Sequence, residues 1–299
     1  MKPTTIEEVI AAIPEWRGLQ VEAEPVRGGL TNRAYCVRVA DRPYFVSVPG
    51  VRSELLTIPR EDEIANARAA AETGASPRVF HYFAETGVMV VEFLQGRTLT
   101  IDDMHAAGMP ERLAAAVRVL HSARPFANDF DLFRLTDLYS GLLAAQHLAP
   151  PDGFDGVRRR LGEMETAARL HPLPPRPCSN DLVPENLIDD GQRLWIVDFG
   201  YSGNNDPCSE LGNACCEADY DAAEAERLCT AYFGAAEPHL LARMRLYSIM
   251  SDVAWSLWSV LQEHLSELEV DFHAYGGRRW QRALGLLNGP DLERWIREA

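Results

Sequence analysis

The chain has 299 residues, of which 46% are hydrophobic and 24% are charged, as expected of a globular protein with a sizeable core. Its formal net charge of −15 argues against a general nucleic-acid binder, since such proteins present a basic face to phosphates. No segment has the apolar length needed to cross a bilayer, and the 6 cysteines lack metal-finger spacing. These features predict a cytoplasmic protein with reduced thiols, folded as one bilobal unit or two modest domains.

The first part of the chain is predicted to be rich in strands. Thr4 and Glu7 fit a capping box that opens a helix ending at Ala12. Beyond it, alternation of apolar and polar residues, together with breakers such as Pro49-Gly50, predicts five strands and one helix. The strands are predicted at 18–26, 34–39, 44–48, 79–83 and 88–93, and the helix at 60–72.

The remainder is predicted to be mainly helical. Amphipathic helices are expected at 109–121, 138–149 and 157–170. Two short strands, 187–188 and 194–197, flank the turn signal Asp189-Asp190-Gly191, and the chain beyond Glu210 is helical with breaks near Pro238 and Gly276-Gly277. The prediction is therefore an α+β fold, with a small antiparallel β-rich lobe at 1–95 and a larger helical lobe at 96–299.

Three polar residues with fixed spacing carry the strongest chemical signal. Asp181 is followed five residues later by Asn186, and Asp198 ends the apolar strand that follows. In phosphoryl transfer, one Asp orients the attacking hydroxyl and accepts its proton, while an Asn and a second Asp hold magnesium on the ATP phosphates. The structural alternatives are that Asp181 caps a turn and that Asn186 closes one.

Weaker signals on the nucleotide side precede these residues. A turn at Gly28-Gly29 between two strands lets backbone amides approach phosphate oxygens, although a plain hairpin has the same pattern. Glu63 could orient a phosphate-binding cation from strand 44–48, or it could be an ordinary solvated helix residue. The run 90–94 could bind adenine through its backbone, or it could be an edge strand.

Several short motifs, spread across nearly the whole chain, resemble the choline/ethanolamine kinase group. That group belongs to the aminoglycoside phosphotransferase-like enzymes, which share the protein-kinase fold. The motifs are Gly28-Gly29-Leu30-Thr31-Asn32, Gly87-Val88-Met89-Val90, Leu120-His121, Pro184-Glu185-Asn186-Leu187, Asn205-Asp206-Pro207, Glu210-Leu211-Gly212-Asn213 and Ser251-Asp252.

The resemblance implies ATP and Mg²⁺ as cofactors and assigns residues to them. Asp181 would be the catalytic base, and Asn186 and Asp198 the metal ligands. The nucleotide loop would include Gly29, Thr31 and Asn32, and the adenine hinge would include Glu92 and Leu94.

Three positions depart from the pattern of the group. Ser47 stands where the third strand normally carries Lys or Arg, and the only lysine in the sequence is Lys2. An arginine would have to substitute, and the neighbouring strands and loop offer Arg27, Arg33 and Arg38. Ser179 replaces a His that braces the catalytic loop, and Gly200 replaces a second acid after Asp198. A catalytically impaired pseudokinase with a binding role is therefore an alternative to an active kinase.

The acceptor is expected to be a small, cationic hydroxyl compound, an amino alcohol such as choline or ethanolamine. Trp255 and Trp258 offer aromatic faces to an ammonium group, with core packing as the alternative, and Asp206 and Asp252 offer charge. Aminoglycosides, thiamine-like compounds and sugars are the alternative acceptors. The sequence leaves the oligomeric state open.

Overall fold

The computed structural model describes residues 5–26, 32–49, 60–266 and 270–299. The first helix, α1, spans Ile6–Ala12, and its capping box is formed by Thr5 and Glu8. Thr5 Oγ1 accepts a hydrogen bond from Glu8 N at 3.3 Å, and the Glu8 carboxylate accepts one from Thr5 N at 3.1 Å. The predicted box was one residue too early, because each member is doubled in the sequence and both registers satisfy the motif.

A five-stranded antiparallel sheet follows, with strand order β1-β2-β3-β5-β4. Its strands are β1 Val21–Val26, β2 Asn32–Val39, β3 Arg42–Pro49, β4 Val79–Phe83 and β5 Val88–Glu92. Helix α2, Arg60–Thr73, connects β3 to β4 through residues that include an undescribed segment at 50–59. The five predicted strands and the helix are confirmed, with bounds shifted by a few residues.

The register of this sheet separates two faces, because directly opposed residues in an antiparallel pair share a face. Val46 of β3 opposes Val90 of β5, and both are buried in the cluster that α1 covers. Ser47 opposes Ala34 and Met89, and Met89 packs against the larger core of the molecule. Ser47 therefore lies on the inner face, toward the helical part.

The second part of the chain is built from helices around two small sheets. The small sheets have the orders β6-β8-β9 and β10-β7. Their strands are β6 Arg97–Thr98, β7 Arg176–Cys178, β8 Leu187–Asp189, β9 Leu194–Ile196 and β10 Gly203–Asn205. The helices are α3 Ile101–Met104, α4 Met109–Leu120, α5 Leu132–Ala145, α6 Phe154–Leu170, α7 Pro207–Glu217, α8 Ala222–Phe233, α9 Pro238–Leu265, α10 Phe272–Leu287 and α11 Leu292–Glu298.

Two predictions for the helices were wrong. Helix α5 begins at Leu132, well before the predicted start, because the Asp131 side chain caps it by accepting a bond from Phe133 N. Helix α10 runs through Gly276-Gly277 without a break. A Cβ at Gly276 would lie 1.6 Å from Ser259 Oγ, so this glycine allows α9 and α10 to approach closely.

The buried helix α9 lies at the centre of the helical part and packs against α5, α7 and α10. Within the described ranges, no helix is both long and apolar enough to span a membrane. The sheet of the first part ends with β5 at Glu92, and the next strand, β6, already pairs with β8 of the second part. The lobe boundary at residues 95 and 96 stays a prediction.

Candidate active site

Asp181, Asn186 and Asp198 all lie in the segment that joins β7 to β10, which also contains strands β8 and β9. The fold of this segment brings the three residues together. Asn186 Nδ2 donates hydrogen bonds to the backbone oxygen of Asp181 at 3.0 Å and to its carboxylate at 3.1 Å. The backbone oxygen of Asn186 accepts a hydrogen bond from Val197 N at 3.0 Å. Because Val197 directly precedes Asp198, this bond holds Asn186 close to Asp198. Because the amide nitrogen is already used, the amide oxygen of Asn186 is the atom left to ligate a metal.

Asp198 presents its carboxylate on an unusual backbone. Its φ of 64° lies in the left-handed region, which is uncommon for residues other than glycine, and its side chain is exposed. Gly200 N donates to Asp198 Oδ1 at 3.1 Å. The residue that departs from the pattern thus contacts this carboxylate through its backbone.

The carboxyl group of Asp181 is not in its ordinary electrostatic state. Burial raises its pKa to about 8, and the charges of Asp198 and Glu217 add to the rise, while Arg279 and the Asn186 hydrogen bond oppose it. A cation on Asp198 would remove one of these repulsions and lower the pKa.

The loop that carries Asp181 is braced from α7 through backbone hydrogen bonds. The Glu210 carboxylate accepts bonds from Ser179 N at 2.8 Å and Asn180 N at 2.7 Å, and Asn213 Oδ1 accepts one from Leu182 N at 2.9 Å. The side-chain oxygen of Ser179 is buried and has no partner among the described residues. The loop therefore does not depend on the side chain at 179.

Behind the loop, the side chains of His121, Cys178 and Glu210 form a buried cluster whose ligand atoms lie within 4.8 Å of one another. Both Glu210 oxygens already accept backbone N–H groups, and His121 Nδ1 lies 2.6 Å from the Tyr232 hydroxyl. Burial lowers the pKa of His121 to about 3 and raises that of Cys178. The three side chains therefore pack behind the loop and already have hydrogen-bond partners, and the Cys178 thiol is neutral.

A chain of aromatic ring contacts lies near Asp181, whose charge contributes to the raised pKa values of Tyr201 and Tyr275. Tyr201 packs edge-on against Trp255 at 4.8 Å between ring centroids, Trp255 against Trp258 at 6.0 Å, and Trp258 against Tyr275 at 6.0 Å. We call Tyr201, Trp255, Trp258 and Tyr275 the aromatic box. Sequence reasoning found the two tryptophans, because they lie three residues apart on α9, but not the role of the tyrosines.

The aromatic box contains buried polar atoms without partners. Within the described residues, the indole nitrogens of Trp255 and Trp258 and the hydroxyl of Tyr201 have no partner within hydrogen-bond distance, nor has the hydroxyl of Tyr139 outside the box. The Tyr139 and Tyr201 hydroxyls still interact electrostatically with each other. Burial raises the pKa of both tyrosines, and the charge of Asp181 adds to each rise. The unpartnered tyrosine hydroxyls are thus near the Asp181 carboxylate. Each buried polar group that lacks a hydrogen-bond partner lowers the stability of the fold by roughly 1–3 kcal/mol.

Glu217, at the end of α7, is an acidic residue of the site that sequence reasoning missed. Its carboxylate is ion-paired with buried Arg279, whose guanidinium lies 4.6 Å from the Tyr275 ring centroid. The charge of Glu217 contributes to the raised pKa of Asp181, so the two acids are neighbours. The signal was present in the spacing of 210, 213 and 217, which repeats at helical period on one face of α7.

Asp206 and Asp252 are occupied by arginines. Asp206 caps α7 by accepting a bond from Cys208 N at 2.8 Å, and its other oxygen pairs with buried Arg243. Asp252 accepts bonds from Arg279 at 3.2 Å and from Arg282 at 2.6 and 2.7 Å. Both acids thus hold helices together through arginine partners, and their predicted contact with an ammonium group stays a prediction.

The nucleotide side is only partly described. Gly28, Gly29 and Thr31 lie outside the described residues, and Asn32 is described only as the backbone start of β2. The side chain of Glu92 pairs with Arg42 at 3.2 Å, so a contact of Glu92 with adenine would have to use its backbone. Half-buried Leu94 follows β5. The nucleotide contacts of these residues stay predictions.

Glu63 on α2 is buried, with 7% of its surface exposed, which excludes the reading as a solvated residue. It pairs with Arg60, one turn earlier on the same helix, at 2.7 Å. Burial raises the pKa of Glu63, Arg60 opposes the rise, and the charge of Asp198 adds to it. Glu63 thus pairs with a cation and also feels the charge of the exposed Asp198 carboxylate.

Comparison with known proteins gives consistent results over almost the whole chain. The model of the phosphotransferase enzyme family matches residues 22–247. A choline/ethanolamine kinase family protein from Mesorhizobium loti is 35% identical, with a TM-score of 0.85 over 97% of this chain and 96% of that one. The choline kinase LicA from Streptococcus pneumoniae is 27% identical, with a TM-score of 0.78 over 94% and 98%. Probable choline kinase 2 of Arabidopsis thaliana is 24% identical over 94% of this chain and 91% of its own length.

Proposed function

We propose that this chain, which belongs to the choline/ethanolamine kinase family within the phosphotransferase enzyme family, transfers the γ-phosphoryl group of ATP to an amino alcohol. It is a small-molecule kinase with a bilobal kinase-like fold. The observation that carries the proposal is the contact of Asp181 with Asn186, beside exposed Asp198 and the aromatic box. The AMP bound in a solved structure of the related LicA supports an adenine nucleotide.

In the proposed reaction, Asp181 orients the acceptor hydroxyl and takes its proton. The hydroxyl oxygen bonds to the γ-phosphorus while the bond from that phosphorus to the ADP oxygen breaks. A pKa of about 8 makes Asp181 able to hold a proton near neutral pH. The hydrogen bonds that the Glu210 and Asn213 side chains accept from backbone N–H groups keep the loop in place during this transfer.

We propose Asn186 and Asp198 as magnesium ligands, because amide and carboxylate oxygens are the donors that Mg²⁺ prefers. The donor set fits the ion: Asp198 is exposed, and its charge is left to raise the pKa values of Asp181 and Glu63. Bound magnesium would neutralise charge on the phosphates.

The aromatic box is the proposed site of the acceptor's ammonium group. Ring faces attract a cation by about 0.5–2 kcal/mol each, more when water is excluded. The unpartnered hydroxyls of Tyr139 and Tyr201 could hydrogen-bond the acceptor's hydroxyl beside Asp181. Since Glu217 is neutralised by Arg279, we expect the rings to contribute more than this acid to cation binding.

The test is a turnover assay with ATP and magnesium on choline, ethanolamine, an aminoglycoside, thiamine and a sugar, with Asp181→Asn as the blank. We expect the highest kcat/KM for choline or ethanolamine and turnover about 10²–10⁴-fold lower in the blank. A higher kcat/KM for one of the other acceptors would reject the amino-alcohol proposal. Turnover in Asp181→Asn within roughly tenfold of the wild type would reject Asp181 as the base.

A further inference from the structure

On the described inner face of the sheet, a serine stands at the position of β3 where kinase-type sites carry a phosphate-binding cation. Ser47 of β3 faces inward, opposite Ala34 and Met89, and its hydroxyl carries no charge. Glu63 is nevertheless buried beside this sheet, where an unpaired carboxylate would be costly. A cation that pairs with Glu63 therefore has to come from another position.

The two arginines of β2 do not lie where they could pair with Glu63 and bind phosphate. Arg33 opposes Val48, so it lies on the outer face that α1 covers. Arg38 opposes Pro43 on the inner face, but near the start of β3, at the opposite end of the strand pair from Asn32 and Pro49. Arg27 lies outside the described residues.

Arg60 lies next to both Glu63 and the end of β3, where a phosphate-binding cation is needed. Its guanidinium pairs with Glu63 at 2.7 Å, and only 23% of its side-chain surface is exposed. A Cβ built at Gly87 would lie 3.3 Å from both Arg60 Cδ and Pro49 Cγ, which puts the Arg60 side chain at the far end of β3. There Pro49 opposes Asn32, the first residue of β2.

The geometry points to Arg60 as the phosphate-binding cation of this protein, oriented by Glu63 and replacing the missing cation on β3. This inference rests on the proposed function in one respect, that the chain binds ATP. A guanidinium suits the role because its planar group can donate two parallel hydrogen bonds to phosphate oxygens. Tyr82 fixes the start of α2 from the other side, since its hydroxyl donates to the Arg60 backbone oxygen at 3.1 Å.

The test compares Arg60→Ala, Arg60→Lys and the control Arg38→Ala for ATP affinity by calorimetry, and for KM and kcat in turnover. We expect Arg60→Ala to weaken ATP binding at least about tenfold and to lower kcat/KM for ATP by about 10²–10³-fold, with the acceptor KM unchanged. Arg60→Lys should be intermediate, and Arg38→Ala should match the wild type.

A rescue separates phosphate binding from a structural role. Ser47→Arg, added to Arg60→Ala, restores the cation from the strand and should recover a large part of the ATP affinity. ATP affinity within twofold of wild type in Arg60→Ala would overturn the inference, and so would a double variant no better than the single one.

The two proposals can fail separately. If ATP binding depends on Arg60 but no amino alcohol is phosphorylated, the inference stands and the acceptor proposal is rejected. If amino alcohols are phosphorylated normally by Arg60→Ala, the inference is rejected and the function stands. A wild-type protein that binds no ATP would reject both.

Discussion

The buried and half-buried acidic side chains of the helical part fall into two groups, which differ in how their charge is compensated. Asp206 and Asp252 each contact a buried arginine, so their charge is neutralised within the fold. Asp181 has an amide and a neighbouring carboxylate instead, and its pKa is raised to about 8. The comparison teaches that the partner, rather than the residue type, separates an acid that stabilises the fold from one left for a ligand.

The largest effect is expected from Asp181→Asn. Removing a general base typically costs about 10²–10⁴-fold in rate, and the amide keeps the shape of the side chain. We expect kcat to fall by this amount while the free energy of unfolding stays equal or rises, because the repulsion from Asp198 is relieved. Kinetics and urea denaturation of the same preparation check it. A matched loss of stability would place Asp181 with the structural acids.

Asp252→Ala should give the opposite pattern. It leaves Arg279 and Arg282 without their shared carboxylate, and breaking a buried ion pair costs about 3–5 kcal/mol of stability. Chemical denaturation measures the loss, and the acceptor KM of the folded fraction should not change. A stable variant with a raised acceptor KM would support the predicted role of Asp252 in substrate binding.

Trp258→Leu tests the aromatic box. Losing one desolvated ring face should raise the choline KM by roughly tenfold, with the KM for ATP unchanged. Trp280→Leu is the matched control, because this buried indole donates to the Asp152 backbone oxygen at 2.9 Å and lies outside the box. Trp280→Leu should lower stability without changing the choline KM. If both variants had the same choline KM as the wild type, Trp258 would be a core residue without a role in binding the acceptor.

The smallest effect concerns pH. The pKa of Asp181 rises on folding from its ordinary 3.8 to about 8, so the folded state binds the proton more tightly and stability falls as pH rises between these values. Because Asp181 is only half-buried, solvent screening reduces this slope, and without magnesium the wild type should lose roughly a few tenths of a kcal/mol per pH unit relative to Asp181→Asn. Melting temperatures at pH 4 to 8 check the slope. Parallel curves for the two proteins would show that Asp181 titrates normally.

Much of this architecture is visible in local sequence. The strands of the sheet follow from period-two alternation, and Asp181, Asn186 and Asp198 follow from their spacing, because both signals lie within short stretches of chain. The capping box of α1 was misplaced by one residue for the same reason, since local patterns do not choose between equivalent registers.

What escaped prediction depends on contacts between distant residues. The arginines that occupy Asp206 and Asp252 lie on α9 and α10, and the position of Arg60 relative to Ser47 follows from strand register and the turn at Gly87. Glycine in a helix usually signals a break, but at Gly276 the partner Ser259 decides its role. Local propensity contains none of these distances.

The close contact at Gly276 has a consequence for the choice of acceptor. Trp258 lies on α9 and Tyr275 on α10, so the separation of these two helices sets the distance between the two rings. A single methyl group at position 276 would force the helices apart and increase that distance. If the rings bind the ammonium group as proposed, the absence of a side chain at Gly276 helps to set which acceptors fit between them.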